Sequence, residues 1–213
     1  MNVETKIPGA PRDRIPLIEP EAMTDAQRRV HDEIVAGPRG RMVGPLRAVI
    51  HNPDLARDWS RLGAQLRYET SLGNRFSELA IIVTARHWAS EVEWAIHVGL
   101  ALDAGLPLAL IEAIAAGEAP HFENERDAIV YEYCRQILLH CRVDSAAYAA
   151  VRTHWGDVGV VELTALIGYY SMVAMTLNAH EIPAPSDLPT APMIDGCGRS
   201  ALPPATNARE HVA

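Results

Sequence analysis

Three cysteines in 213 residues exclude a disulfide framework. Cys134 and Cys141 stand seven residues apart on a predicted helix, about 10 Å by helical rise, which is too far to bridge. With Cys197 they match no common zinc spacing, so all three read as reduced, partly buried side chains. Basic runs are also absent, and a net charge of -8 with a pI near 5.6 speaks against nucleic acid as a partner. No stretch reaches about 18 consecutive apolar residues, and MNVETKIPGAPRDR lacks the apolar core of a signal peptide. The expectation is a cytoplasmic chain with no membrane partner. Strand-type alternation is missing throughout, which leaves an all-α fold.

What is present is ordinary for a globular protein, with 48% hydrophobic and 22% charged residues. Residues 1 to 20 carry Pro8, Pro11, Pro16 and Pro20 and read as an extended arm. Thr24 caps a helix to about Val35, and Pro53 to Tyr68 is amphipathic, with Leu55, Trp59, Leu62 and Leu66 on one face. Leu106 to Ala116, Glu123 to Cys141, Asp144 to Trp155 and Gly159 to Asn178 supply further helices. With the central pair described next, the sum is a compact helical bundle of seven or eight helices over residues 21 to 182. Six prolines from Pro183 to Pro204 forbid more helix, so residues 183 to 213 form a Pro-rich tail. Its Pro183 to Pro192 part is expected to wrap over a neighbouring subunit and its last ten residues to be loose.

The centre of the pattern is NRFSELAIIVTARHWASEVEWAIHVGLALDAG, residues 74 to 105. Its first helix, with Asn74 as N-cap, is apolar nearly all round and should be buried. Ser90 and Glu93 have the S-x-x-E form of a capping box opening a second helix, which stops at Gly105. On that helix Glu93 and His97 share a face, with Ser90 one turn earlier. Glu78 lies in the first turn of the preceding helix.

Structural explanations compete at each position. The helix dipole accounts for Glu78, the capping box for Glu93, and a satisfied core histidine for His97. Trp94 and Trp88 suit packing as well as a substrate wall. Asn178 and His180 could cap the last helix or form a second polar wall. Tyr169 and Tyr170, being adjacent, are expected to face opposite ways. The loop Gly37 to Pro45 lacks the Lys-Ser/Thr of a phosphate loop and no strand precedes it, so it reads as a connection. From it Arg41, and slightly less favoured Arg39, could reach an anionic substrate.

A Glu early in one helix, a helix junction and a His in the second turn of the next resemble the carboxymuconolactone decarboxylase family, which includes the alkylhydroperoxidase D proteins. Arg39-Gly40 with Gly44-Pro45 and VELTALIGYYSMVAMTLNAHEIPAP from Val161 extend the resemblance over residues 14 to 190. The peroxidase members carry a C-x-x-C pair ending four residues before that His; here those positions are Ser90 and Glu93. Neither supplies a thiolate, so the resemblance is to a branch without thiol peroxidase chemistry. It implies an alkylhydroperoxidase D-like fold, homo-trimers or hexamers, and Glu78 and His97 as a proton relay.

Three functions follow as expectations. The first is a cofactor-independent enzyme in which Glu78 and His97, with Glu93, move a proton on a small carboxylated or lactone substrate, in decarboxylation, hydrolysis or isomerisation. Ser90, Trp94, Arg39, Arg41, Asn178 and His180 would bind that substrate. The second uses Glu78, Glu93 and His97 as metal ligands, which would require Glu93 to leave its cap. The third is a non-catalytic oligomeric binding or scaffold protein. A faint internal echo, Glu78-Leu79 and Glu162-Leu163 each followed by a His (His97, His180), suggests two similar hairpins around a pseudo-twofold axis.

Overall fold

A computed structural model describes residues 14–42, 44–184 and 202–206. After a single 3-10 turn, Pro20–Ala22, come eight helices: α1 Asp25–Ala36, α2 Leu46–Val49, α3 Pro53–Tyr68, α4 Asn74–His87, α5 Glu91–Asp103, α6 Leu108–Ala116, α7 Glu125–His140 and α8 Ser145–His180. Among the described residues there is no strand.

Local chemistry sets the boundaries. Thr24 and Gln27 form a complete capping box at α1. Asn52 accepts from the Leu55 amide, with Pro53 opening α3. Asn74 is not a cap but the first residue of α4; Gly73, at φ 82, makes the turn that enters it, a conformation an L side chain resists. Gly117 and Cys141 close α6 and α7 in the left-handed region. Cys134 is buried and Cys141 exposed, both free; Cys197 lies outside the described residues.

The two last predicted helices are one element with a break. Gly156 has φ 67 and ψ -172 inside α8, so residues 145–155 and 157–180 are separate rods. That backbone region is essentially open to glycine alone. The second rod then packs Gly159 against Trp155, where a Cβ would overlap the indole side chain.

α4 is the hub. Every residue from Ser77 to Arg86 is buried, and the helix packs chiefly against α5, α7 and α8. Its first turn is fixed by Arg75, whose Nε and Nη2 donate to the Asp127 carboxylate of α7, Nη2 at 2.6 Å, while Nη1 donates to the Gly105 carbonyl after α5. The Asp127 side chain is buried, and this forked pairing supplies the hydrogen bonds that such a carboxylate requires.

Arm and tail are tied down where described. Arg14 pairs with Glu181 at 2.9 Å, and His51 Nε2 bonds the Pro16 carbonyl at 2.8 Å. Leu202 is buried, the Tyr131 hydroxyl donates to the Pro203 carbonyl and the Thr206 amide to the Pro120 carbonyl. Of the last ten residues, 204–206 are held beside α7 by the buried Leu202 and two hydrogen bonds rather than loose, and 207–213 lie outside the described residues. The wrapping expected of Pro183 to Pro192 falls, beyond Ala184, outside the described residues.

Gly156→Ala should lower unfolding free energy by about 1–3 kcal/mol, the penalty for a side chain in that backbone region. Urea denaturation of the purified variant checks this; an unchanged midpoint would mean that the break is not held by the glycine.

Candidate active site

Four elements meet around the imidazole of His97. From α4, Glu78 Oε2 lies 2.7 Å from His97 Nδ1, both side chains buried. From α3, Arg67 Nε stands 3.7 Å from Glu78 Oε1. The carboxylate thus accepts from the imidazole with one oxygen and faces a guanidinium with the other. Acceptance by Glu78 fixes the tautomer with the proton on Nδ1 and leaves Nε2 as a lone-pair acceptor. Nε2 makes no hydrogen bond among the described residues.

The other walls come from α8 and the loop after α1. The Tyr170 ring meets the His97 ring edge-on at 5.2 Å, and the Tyr169 ring lies 5.4 Å from that of Tyr170. Tyr169 donates its hydroxyl to the Trp59 carbonyl at 3.3 Å and accepts from Arg39 Nη2 at 3.4 Å. Gly63 makes room: a Cβ there would overlap both the Tyr169 hydroxyl and the Arg39 guanidinium. Both tyrosines therefore border the cluster, against the expectation that they diverge. Consecutive helical positions differ by about 100°, not 180°, so two long side chains can flank one centre.

The capping box at α5 does not form. Ser90 is the N-cap residue but makes no side-chain cap bond, and its amide already donates to the Ala85 carbonyl at 2.9 Å. Glu93 has no donor to return to, and its carboxyl turns inward instead. Ser90 Oγ and both Glu93 oxygens are buried without a hydrogen-bond partner.

Burial sets the protonation states. It holds the Glu93 carboxyl well above the usual carboxylate range, since no cation compensates its desolvation. Burial also lowers the His97 pKa, outweighing the opposing bond and charge of Glu78, with Arg67 and Arg39 adding to the lowering. Near neutrality the imidazole is therefore neutral, and burial favours the protonated form of the Glu93 carboxyl. The Tyr169 and Tyr170 hydroxyls, raised by burial, remain protonated.

The remaining expected residues separate. Arg41, the slightly favoured arginine, is exposed and has no polar partner among the described residues; Arg39 is the one brought to the cluster. Trp94 is buried in the apolar core. Asn178 donates to the carbonyl of Trp88, the C-cap residue of α4, at 2.8 Å, so it caps α4 rather than the last helix. His180 makes no hydrogen bond among the described residues. Among those residues no three His, Cys, Asp or Glu side chains converge as metal ligands, so Glu78, Glu93 and His97 do not build the metal centre of the second expectation. The internal echo is not chemical either: Glu162 accepts from the Ser71 amide and hydroxyl, not from a histidine.

Arg67 is the residue that the sequence pattern did not single out, and Tyr170 stood there only as an alternative to Tyr169. Arg67 resembled a solvent-facing charge on an amphipathic helix. The usable signal was Gly63 in the helix interior, one turn from both Trp59 and Arg67, marking the face where another helix approaches closely.

The chain superposes on the crystal structure of the alkylhydroperoxidase AhpD core, a peroxidase-related protein from Ralstonia eutropha JMP134, with a TM-score of 0.56 and 16% identity, covering 84% of this chain and 95% of that one. The fold is AhpD-like. No protein-family model matches the chain. No curated protein matches it. At this identity the likeness concerns the AhpD-like fold alone, and the chemistry has to come from the cluster itself.

Glu93→Leu should stabilise the protein by about 1–3 kcal/mol at pH 8, because it removes a buried polar group without partners. The sign with pH follows from the raised folded-state pKa. Above about pH 4.3, the unfolded value, the folded state holds the extra proton, so wild-type stability falls as pH rises towards the folded-state pKa. Glu93→Gln lacks that decline. Urea titrations from pH 5 to 8.5 compare the three proteins; parallel wild-type and Glu93→Gln curves would contradict the assignment.

Proposed function

We propose that this AhpD-like chain is a cofactor-independent, carboxymuconolactone decarboxylase-like enzyme that uses His97, held by Glu78, for acid–base chemistry on a small carboxylated or lactone substrate. One observation carries the reading. A neutral imidazole is buried with Nδ1 committed to a carboxylate and Nε2 uncommitted, the state of a general base waiting for its proton. Arg67 backs the carboxylate, and Arg39 supplies a second cation for an anionic substrate group. Thiol peroxidase chemistry is no part of the proposal, since Ser90 and Glu93 stand where the resemblance to the peroxidase members would require cysteines.

A panel of carboxylated lactones and β-keto acids, incubated with wild type and with His97→Ala and followed by mass, tests this reading. Loss of carbon dioxide, gain of water or an isomer at unchanged mass identifies the reaction, and turnover should fall at least about 100-fold in the variant. A variant as fast as the wild type would remove His97 from the chemistry. The pH profile adds a signature: because the folded His97 pKa lies below about 6.5, the acid limb should too. In Arg67→Met that limb should move upward, since the guanidinium lowers the His97 pKa.

We also propose a cytoplasmic homo-oligomer, a trimer or hexamer, assembled through the outer face of α8. That helix is long and apolar enough to cross a membrane, but half of its apolar stretch is buried inside the fold, as in a core helix. Along its outer side, Val158, Val161, Ala165, Gly168 and Met175 are exposed, with half-buried Met172 completing alternating spacings of three and four; Val158 and Val161 are 62% and 67% exposed. This is the seam spacing of packed helices, and no charged residue occurs between Leu163 and Ala179 to oppose association. Sedimentation should give a multiple of 23.3 kDa for wild type and a smaller species for Val161→Glu. A wild-type monomer would refute the proposal.

A further inference from the structure

Buried polar groups without partners are few in folded proteins, and each calls for an explanation. The start of α5 holds two. Ser90 is 0% and Glu93 1% exposed, and neither the hydroxyl nor the carboxyl oxygens meet a hydrogen-bond partner. The helix does not need them, because the Ser90 amide is satisfied by Ala85 and no side-chain cap is made.

Glu93 and His97 stand four residues apart on one face of α5, and Ser90 is its N-cap residue, just before the first turn. Tyr169 and Tyr170 close the α8 side, Glu78 and Arg67 stand behind the imidazole, and Arg39 reaches Tyr169 from the loop. Glu93 is felt electrostatically by both tyrosines. The buried residues of this cluster, among them Glu78, His97 and Tyr170, exclude bulk water, which favours proton transfer over addition of water.

We propose that the Ser90 hydroxyl and the Glu93 carboxylic acid together receive the carbonyl oxygen of a substrate whose α-carbon is deprotonated by His97 Nε2. The reaction class is enolisation, so the substrate is a carbonyl compound with an acidic C–H beside the carbonyl. This rests on the reading of His97 as the base, and it narrows decarboxylation, hydrolysis and isomerisation to proton transfer at carbon. In the step, Nε2 takes the α-proton and the C–H electron pair becomes the C=C bond. The carbonyl π pair moves to oxygen, where the Ser90 and Glu93 O–H groups hold it. Return of the same proton from His97 to another carbon of the conjugated system completes an isomerisation with no oxidant, reductant or co-reactant. A neutral carboxylic acid in an apolar site is an effective donor to an enolate oxygen, and two fixed donors in a dry site need no reorganisation as charge develops.

The test uses 4-nitrophenol, whose phenolate oxygen imitates the enolate and whose ionised form is visible by absorbance, with the full-length protein near neutral pH. Wild type should bind it as phenolate. Glu93→Leu and Ser90→Ala should each weaken phenolate binding, by about tenfold or more for the Glu93 variant, with Glu93→Gln intermediate because its amide still donates. Thermal melts of the three variants establish that each is folded, and Glu93→Gln keeps the volume of the original side chain. Binding as the neutral phenol, no binding, or equal phenolate affinity in Glu93→Leu and Ser90→Ala overturns the proposal. If the proposal fails while His97→Ala still abolishes turnover of the panel, the base survives and only the donor pair falls. If His97→Ala is also fully active, both readings fall.

Discussion

A carboxylate and an imidazole 2.7 Å apart in the middle of an apolar bundle are the constraint that the structure is arranged around. Each would be expensive to bury alone, and the bond between them, backed by Arg67, is what makes the placement tolerable. It also dictates packing. Glu78 is on α4 and His97 on α5, so the two helices must keep their antiparallel register, and any slip would strand both groups. The Arg75 clamp to Asp127 and Gly105 fixes the start of α4 where that register is set.

The same region carries polar groups that the fold does not satisfy. Ser90 and Glu93 sit at the junction of the two helices, buried and unpartnered, whereas Glu78 and His97 are bonded to each other through Nδ1. That contrast separates structure from function more clearly than burial alone. Glu78, Arg67 and Nδ1 of His97 hold one another, whereas Nε2, the Ser90 hydroxyl and the Glu93 carboxyl are left to meet something else. Burying a carboxyl group without a partner costs stability, and the fold itself draws no bond from it in return.

Much of the fold could be read from residue pattern. The α1 box, the bounds of α3 and the central burial of α4 follow from capping chemistry and apolar spacing, which act over a few residues. The Glu78 and His97 pairing was legible because two positions on successive helices matched a known pattern. Ser90 and Glu93 were found for the wrong reason. Their S-x-x-E form predicts a cap, but the Ser90 amide is taken by Ala85, a bond made by the left-handed turn at Ala89. Arg67 and Tyr170 were not legible, since nothing local in α3 or α8 says which face of either helix will meet His97.

By itself, then, the chain determined where helices start and stop, which of them is central, and that no thiol pair stands beside His97, because these depend on residues within a turn or two of one another. The tertiary structure alone decided that Arg39 rather than Arg41 reaches the cluster, that both Tyr169 and Tyr170 border it, and that Glu93 is a buried acid rather than a cap. Those outcomes depend on how closely α3 and α8 approach, through Gly63, and on the desolvation that four packed elements impose on one carboxyl group.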